Sequence, residues 1–307
     1  MTGRLRNGVL AATVVALLVA AAALIYYLKF GRAVSPESLI AGLPGKDGAV
    51  VYLDIRALRV AQVLDSVSAS GVAEEADYKA FVAVTHFNYR DDLDAVAASY
   101  QNGDVYVLAA GRFDWASLRN YALTQSGKCE NDLCTMPSSQ PGRMISFFLQ
   151  RTGVMALAVS NRPDASAAFH QSQQPFAGTI SKQPLWISFP GLFLRGDGKV
   201  PSGTRLFAKI LESAQRVNFT FGAKGTAFEI TMDESCVSVN DAEAALNQFD
   251  GVTEVMRKYF ARLNQTPSPK DLSGVLTSGV FRRDGTRVLG SWPIDRGFLE
   301  SLTAGGK

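Results

Sequence analysis

Apolar positions along the chain follow three patterns, and the first is continuous. Val9 to Leu28 (VLAATVVALLVAAAALIYYL) carries no charge, and Thr13 is its one polar residue besides the hydroxyls of Tyr26 and Tyr27. A helix of that length, at ~1.5 Å per residue, spans roughly 30 Å, the hydrocarbon thickness of a bilayer. Tyr26, Tyr27 and Lys29 at one end suit the headgroup region, where amphipathic rings and a snorkelling ammonium are favoured. The pattern predicts a transmembrane helix over 9–28, with 1–8 as a short cytoplasmic leader and 29–47 as a tether. The alternative is a cleaved signal peptide cut near Gly31 or Ala33, which the length of the run and the charges of Lys29 and Arg32 oppose.

The second and third patterns, period two and period 3.6, alternate through the remainder. Ala49 to Ile55 is a β-branched strand, and Ala57, Leu58, Val60, Ala61, Val63, Leu64 and Val67 then recur at helical spacing. A helix is predicted over Glu74 to Thr85. Strands follow at Asp94 to Tyr100 and Asp104 to Ala110, joined across Gln101, Asn102 and Gly103, a hairpin signal. Asp114 caps a helix to about Gln125; strands near Arg143 to Gln150 and Val154 to Ser160 precede a helix near Pro163 to Gln173. The second half repeats this vocabulary, with a helix at Thr204 to Gln215, strands at Asn218 to Ala223 and Phe228 to Met232, and a long helix from Asp241 to about Leu263 before final strands and a helix. Strands meeting through tight turns predict an α+β fold of antiparallel sheets with helices packed on one face, in two halves, 48–180 and 181–307. A fixed offset supports two related repeats: Asp92, Leu93, Val96 and Ser99 recur 179 residues later as Asp271, Leu272, Val275 and Ser278.

Charge narrows the partners. The whole chain has 31 Lys and Arg against 28 Asp and Glu, but Arg4, Arg6, Lys29 and Arg32 precede the first acid, Glu37, which leaves 27 against 28 beyond them. A near-neutral body lacks the field that gathers phosphate backbones, so nucleic acid is not an expected partner. The expected partners are the lipid bilayer, through the amino-terminal helix, and a protein or small molecule of unknown identity.

Three cysteines bear on compartment. Cys129 and Cys134 bracket a turn-prone quartet in a predicted hairpin, and facing antiparallel positions lie ~4.5–5.5 Å apart at Cα, within disulfide range. Closing so short a loop contributes at most ~2 kcal/mol. The alternatives are a metal site, which needs two further ligands, and free thiols in a cytoplasmic body. Cys236 is left over and reads as a small buried hydrophobe. The flanking charges of the apolar run nearly balance, so the short leader and the cysteine pair set the expected topology: inner membrane, single pass, body outside the cytoplasm.

Candidate chemistry is sparse. GLPGKD at Gly42 to Asp47 lacks the Ser or Thr that a phosphate loop places after its Lys, no GxGxxG follows a strand, and no GxSxG elbow occurs. Asp91, Asp92 and Asp94, with His86 nearby, form the most prominent polar cluster; the readings weighed are a turn or helix cap, a calcium loop, and a catalytic group. His170 stands alone. Arg195-Gly196-Asp197 spells an adhesion tripeptide that reads physically as a turn. Leu185 to Leu194 (LWISFPGLFL), with Trp186, Phe189 and Phe193, is either core or an apolar contact patch. No catalytic, cofactor-binding or metal site is expected, and no cofactor.

VVYLDIRALR at Val50 to Arg59, FNYRDDLD at Phe87 to Asp94 and AGRFDW at Ala110 to Trp115 resemble segments of uncharacterised bacterial single-pass envelope proteins with a repeated α+β extracytoplasmic body. The resemblance implies no agreed activity and no functional residue. Two functions remain as expectations: a membrane-anchored extracytoplasmic interaction or scaffold protein, and an envelope enzyme, hydrolase-like, whose first suspects are Asp91, Asp94 and His86.

Overall fold

The computed structural model describes residues 34–64, 76–171, 175–195, 204–225 and 227–304. The apolar run 9–28, with the leader and the start of the tether, lies outside the described residues; among the described residues no helix is long and apolar enough to cross a membrane.

Among the described residues, twelve strands form one antiparallel sheet. They are β1 (Ala49–Asp54), β2 (Leu93–Gln101), β3 (Asp104–Gly111), β4 (Lys128–Glu130), β5 (Leu133–Pro137), β6 (Met144–Arg151), β7 (Val154–Ser160), β8 (Leu185–Phe189), β9 (Arg216–Lys224), β10 (Ala227–Ser235), β11 (Val280–Asp284) and β12 (Arg287–Ile294). The order across the sheet is β11-β12-β10-β9-β8-β1-β2-β3-β7-β6-β5-β4. Residues Pro36 to Lys307 make one compact unit. The boundary near residue 180 therefore marks the middle of a shared sheet, where β1 pairs with β8 through Val50↔Ser188 to Leu53↔Leu185. At the hairpin between β2 and β3, Asn102 (φ 53°) and Gly103 (φ 90°) supply the two positive φ angles that a tight turn matched to strand twist requires.

From the central pair outward, the first half runs β1, β2, β3, β7, β6 and the second β8, β9, β10, β12, β11. Each is a strand, a hairpin, then a second hairpin whose later strand lies innermost. The 179-residue offset does not follow this symmetry, because it sets β2 against a helix. Val96 and Ser99 lie in β2, whereas Leu272, Val275 and Ser278 lie in a helix capped by Asp271. The spacing Leu272, Val275, Leu276 is helical, a signal that residue-by-residue matching overlooks.

The helices are α1 (Pro36–Gly42), α2 (Ile55–Val60), α3 (Ala76–Thr85), α4 (Tyr89–Asp92), α5 (Trp115–Thr124), α6 (Ala168–Gln171), α7 (Arg205–Leu211), α8 (Val239–Arg262), α9 (Leu272–Ser278) and α10 (Arg296–Ala304). In the second half the helices pack on one face only. There Phe207 of α7, Phe249 of α8 and Leu299 of α10 share a core with Val217, Phe228, Met232 and Trp292 of the sheet. The opposite face presents Asn218, Thr220, Thr231, Asp233 and Ser291. In the first half both faces are covered. Phe81 of α3 and Leu118 of α5 pack against Phe147, Met155 and Leu157, while Phe169 of α6 meets Tyr106 and Phe148 from the other side at centroid distances of 5.7 and 6.0 Å. The sequence hides this because β7 alternates Val154, Ala156 and Ala158 with Met155 and Leu157, apolar on both faces.

At the far edge, Cys129 of β4 and Cys134 of β5 stand directly opposite each other, 4.0 Å apart at Cα, and are joined as a disulfide; Cys236 is free and buried. With the body outside the cytoplasm, alkylating intact cells under non-reducing denaturing conditions is expected to add one label per chain, on Cys236. Three labels would place the pair in a reducing compartment.

Candidate functional site

The floor of the second half carries two apolar rungs on its helix-covered face. One runs Leu185, Phe221, Ile230, Trp292 and the next Ile187, Phe219, Met232, following the pairing of β8, β9, β10 and β12. The roof is shorter than the floor. A seven-residue helix such as α7 or α9 is about 10 Å long, whereas a nine-residue strand such as β9 or β10 runs about 30 Å. Between the two short helices the sheet is left partly uncovered, and a cavity of about 420 Å³ results. Phe207, Ala208 and Leu211 of α7 form one wall, Leu272, Val275 and Leu276 of α9 another, and Phe249 of α8 the back. Phe219, Phe221, Ile187 and Ile230 stay half-buried on a face otherwise sealed, because cavity space replaces their packing.

Backbone geometry holds this opening. Gly191 N donates to Ala214 O at 3.1 Å, and a Cβ at Gly191 would stand 2.3 Å from Leu211 O. Only glycine lets the turn Gly191–Leu194 press against the end of α7, which brings Leu194 to the cavity wall.

Among the described residues that line it, only Thr204 and Thr220 are polar and none is charged, and the register turns the Thr220 side chain to the opposite face of the sheet. Thr220 Oγ1 is already engaged with Thr231 Oγ1 at 2.6 Å. Such a surface can desolvate an apolar group. Its volume lies within the ~300–1,000 Å³ typical of small-molecule sites.

The residues singled out from sequence fall in different places. Trp186 and Phe189 are buried, 1% and 6% exposed, so they lie inside the body rather than on its surface; Phe189 shares the face of the cavity, whereas Trp186 lies opposite Thr220 and Tyr52 on the other face of the sheet. Trp186 stacks on Tyr52 at 5.8 Å, and its indole N–H has no partner among the described residues. Phe193 is half-buried, packed at 5.9 Å from Phe189 and outside the cavity.

The acidic cluster disperses onto separate partners. Asn88, not an aspartate, caps α4; Asp91 Oδ2 accepts from Asn88 Nδ2 at 2.6 Å and Asp92 Oδ2 from Asn88 N at 2.9 Å. Asp92 also pairs with Arg112 at 3.2 Å, and Asp94 pairs with Arg56 at 3.0 Å. Asp271, the cap of α9, likewise accepts a backbone N–H, from Ser273 at 2.8 Å. His86 follows α3 with φ 55° and is exposed. Hydrogen bonds from Ser117 hold the Asp114 carboxyl below its usual range, and His86 adds the smallest contribution. Among the described residues no group of three His, Cys, Asp or Glu side chains could hold a metal ion.

One buried acid escaped notice in the sequence. Glu234 of β10 is fully buried, and neither carboxyl oxygen finds a hydrogen-bond partner among the described residues. It occupies the rung beyond Met232, between Val217 and Val288. Burial pushes its carboxyl up to about 7, which the adjacent Cys236 thiol offsets only in part; burial likewise pushes that thiol up to about 12. A detectable signal existed: Ile230, Met232 and Glu234 share one face by period two.

No protein-family model matches the chain, and no curated protein matches it. Among solved structures, crystal form I of TP0453, a bacterial envelope protein of Treponema, is similar at TM-score 0.48 and 9% identity, covering 90% of this chain and 99% of that one. Crystal form III gives 0.48, 9%, 87% and 96%, and crystal form IV 0.44, 11%, 89% and 96%. A likeness of this degree carries no argument for function.

Proposed function

We propose that this protein is a membrane-anchored, extracytoplasmic binding module that takes one apolar chain or ring, such as a lipid acyl chain, into the cavity between β8–β10, α7 and α9. The cavity itself carries the reading: about 420 Å³, lined among the described residues almost entirely by aromatic and aliphatic side chains. Each methylene moved from water into such a site contributes ~0.8 kcal/mol, so about ten contribute ~8 kcal/mol before the cost of ordering the chain. The apolar character of the described lining suits the apolar part of a ligand. The apolar run 9–28 would hold the module beside a supply of such chains.

Photocrosslinking the full-length chain in membranes containing diazirine-labelled palmitate tests this directly. Adducts are expected on peptides bearing Phe219, Phe221, Val275 and Leu276. Ala208→Phe, which puts a ring into the space beside α7, should remove most of them while the melting transition stays cooperative. Adducts confined to residues 9–28, or unchanged by Ala208→Phe, would refute cavity binding.

A further inference from the structure

The carboxyl-terminal end of α8 is unlike the remainder of that helix. Ala242, Ala245, Phe249 and Thr253 bury its first part in the core. Beyond Thr253, Met256 and Phe260 stay half-buried while Val255, Tyr259 and Leu263 turn outward, 58%, 56% and 48% exposed, at spacings of four residues that place them in one stripe. The ten residues from Val255 to Asn264 (VMRKYFARLN) include Arg257, Lys258 and Arg262 and no acid. Arg257 Nε is used on Thr277 O at 2.9 Å, and Lys258 meets Glu254 at 3.4 Å from the preceding turn. An apolar stripe ending in an aromatic and a leucine, flanked by lysine and arginine, has the composition of a helix that lies in a bilayer interface.

We propose that this end of α8 docks on an anionic lipid surface, with Tyr259 and Leu263 in the headgroup layer and Lys258 and Arg262 against lipid phosphates. The inference rests on the anchored reading above. Chain length supports it: between Leu28, the end of the apolar run, and Pro36, where α1 begins, lie seven residues, which reach at most about 25 Å when fully extended. A body so tethered stays within reach of headgroups, and charge complementarity selects its basic, apolar end.

Nitroxide labels on the full-length chain in vesicles of phosphatidylcholine with one part in three phosphatidylglycerol test the proposal. In a Cys236→Ala background, Ala20→Cys reports the anchor, Tyr259→Cys the stripe, and Leu123→Cys, 55% exposed on α5, the aqueous control. Oxygen collisions are expected to exceed nickel-chelate collisions at 20 and 259 but not at 123. Lys258→Gln with Arg262→Gln should lower the docking equilibrium about thirtyfold, two surface charges' worth. If position 259 reads as aqueous as 123 while 20 reads as lipid, docking is overturned and anchoring stands. If 20 and 259 are both aqueous, both are overturned. Protection at 259 that persists in detergent-free samples without lipid signals a protein contact instead and also overturns the proposal.

Discussion

Raising the pH from below 4.5 to above about 7 is expected to cost the folded protein about 3–4 kcal/mol through Glu234, the product of its upward shift and ~1.4 kcal/mol per unit. The sign follows from proton counting. The folded state keeps Glu234 protonated until about 7, whereas the unfolded chain releases that proton near 4.5. Between these values the unfolded state binds fewer protons, so stability falls with rising pH; below the window the contribution is complete, and above it none remains. Asp114 and Asp271, held below their usual range by hydrogen bonds from Ser117 and Ser273, act in the opposite sense and at lower pH. Urea midpoints of the wild type and of Glu234→Gln at pH 5 and pH 8 isolate the effect. Glu234→Gln should flatten the slope across the window. Glu234→Leu should flatten it too and be neutral or stabilising at pH 8, because an isosteric apolar group avoids burying a carboxyl without partners. An unchanged slope in both variants would show that the carboxyl finds water in solution.

Local chemistry made much of this fold legible. Asp114 caps α5 through Ala116 N and Ser117 N as its position before an apolar run suggests, and Val154–Ser160 is the strand its alternation predicts. The turn at Asn102-Gly103 was legible because few residues tolerate positive φ. β8 was not: Leu185–Phe189 lies mid-sheet with both faces covered, and an apolar run five residues long, closed by Pro190 and Gly191, does not distinguish strand from core helix. The joining of two halves into one sheet is a long-range pairing that no window of sequence contains. The cavity was illegible for the same reason, since its walls come from segments between Leu185 and Trp292 and its existence depends on how much floor two short helices leave uncovered. The conspicuous Asp91, Asp92 and Asp94 serve local hydrogen bonds and ion pairs, while the chemically unusual Glu234 lies just beyond the strand predicted at Phe228 to Met232.

Phe249→Ala is expected to cost about 3–5 kcal/mol, the range for removing a buried phenyl ring, and so to consume a large share of a marginal stability. Phe249 is fully buried at the back of the cavity, with Phe281 stacked at 4.8 Å and Phe207 at 6.3 Å. Phe281 in turn meets Trp292 at 5.3 Å, so the ring supports both a cavity wall and the floor. Removing it should enlarge the space a ligand enters, and an apolar ligand bound only to the folded state raises stability by mass action. Thermal unfolding with and without excess palmitate should therefore show a larger upward shift for Phe249→Ala than for the wild type, and almost none for Ala208→Phe. A loss below about 1 kcal/mol would mean the neighbouring rings collapse into the gap, in which case the back wall is too compliant to fix the size of the cavity.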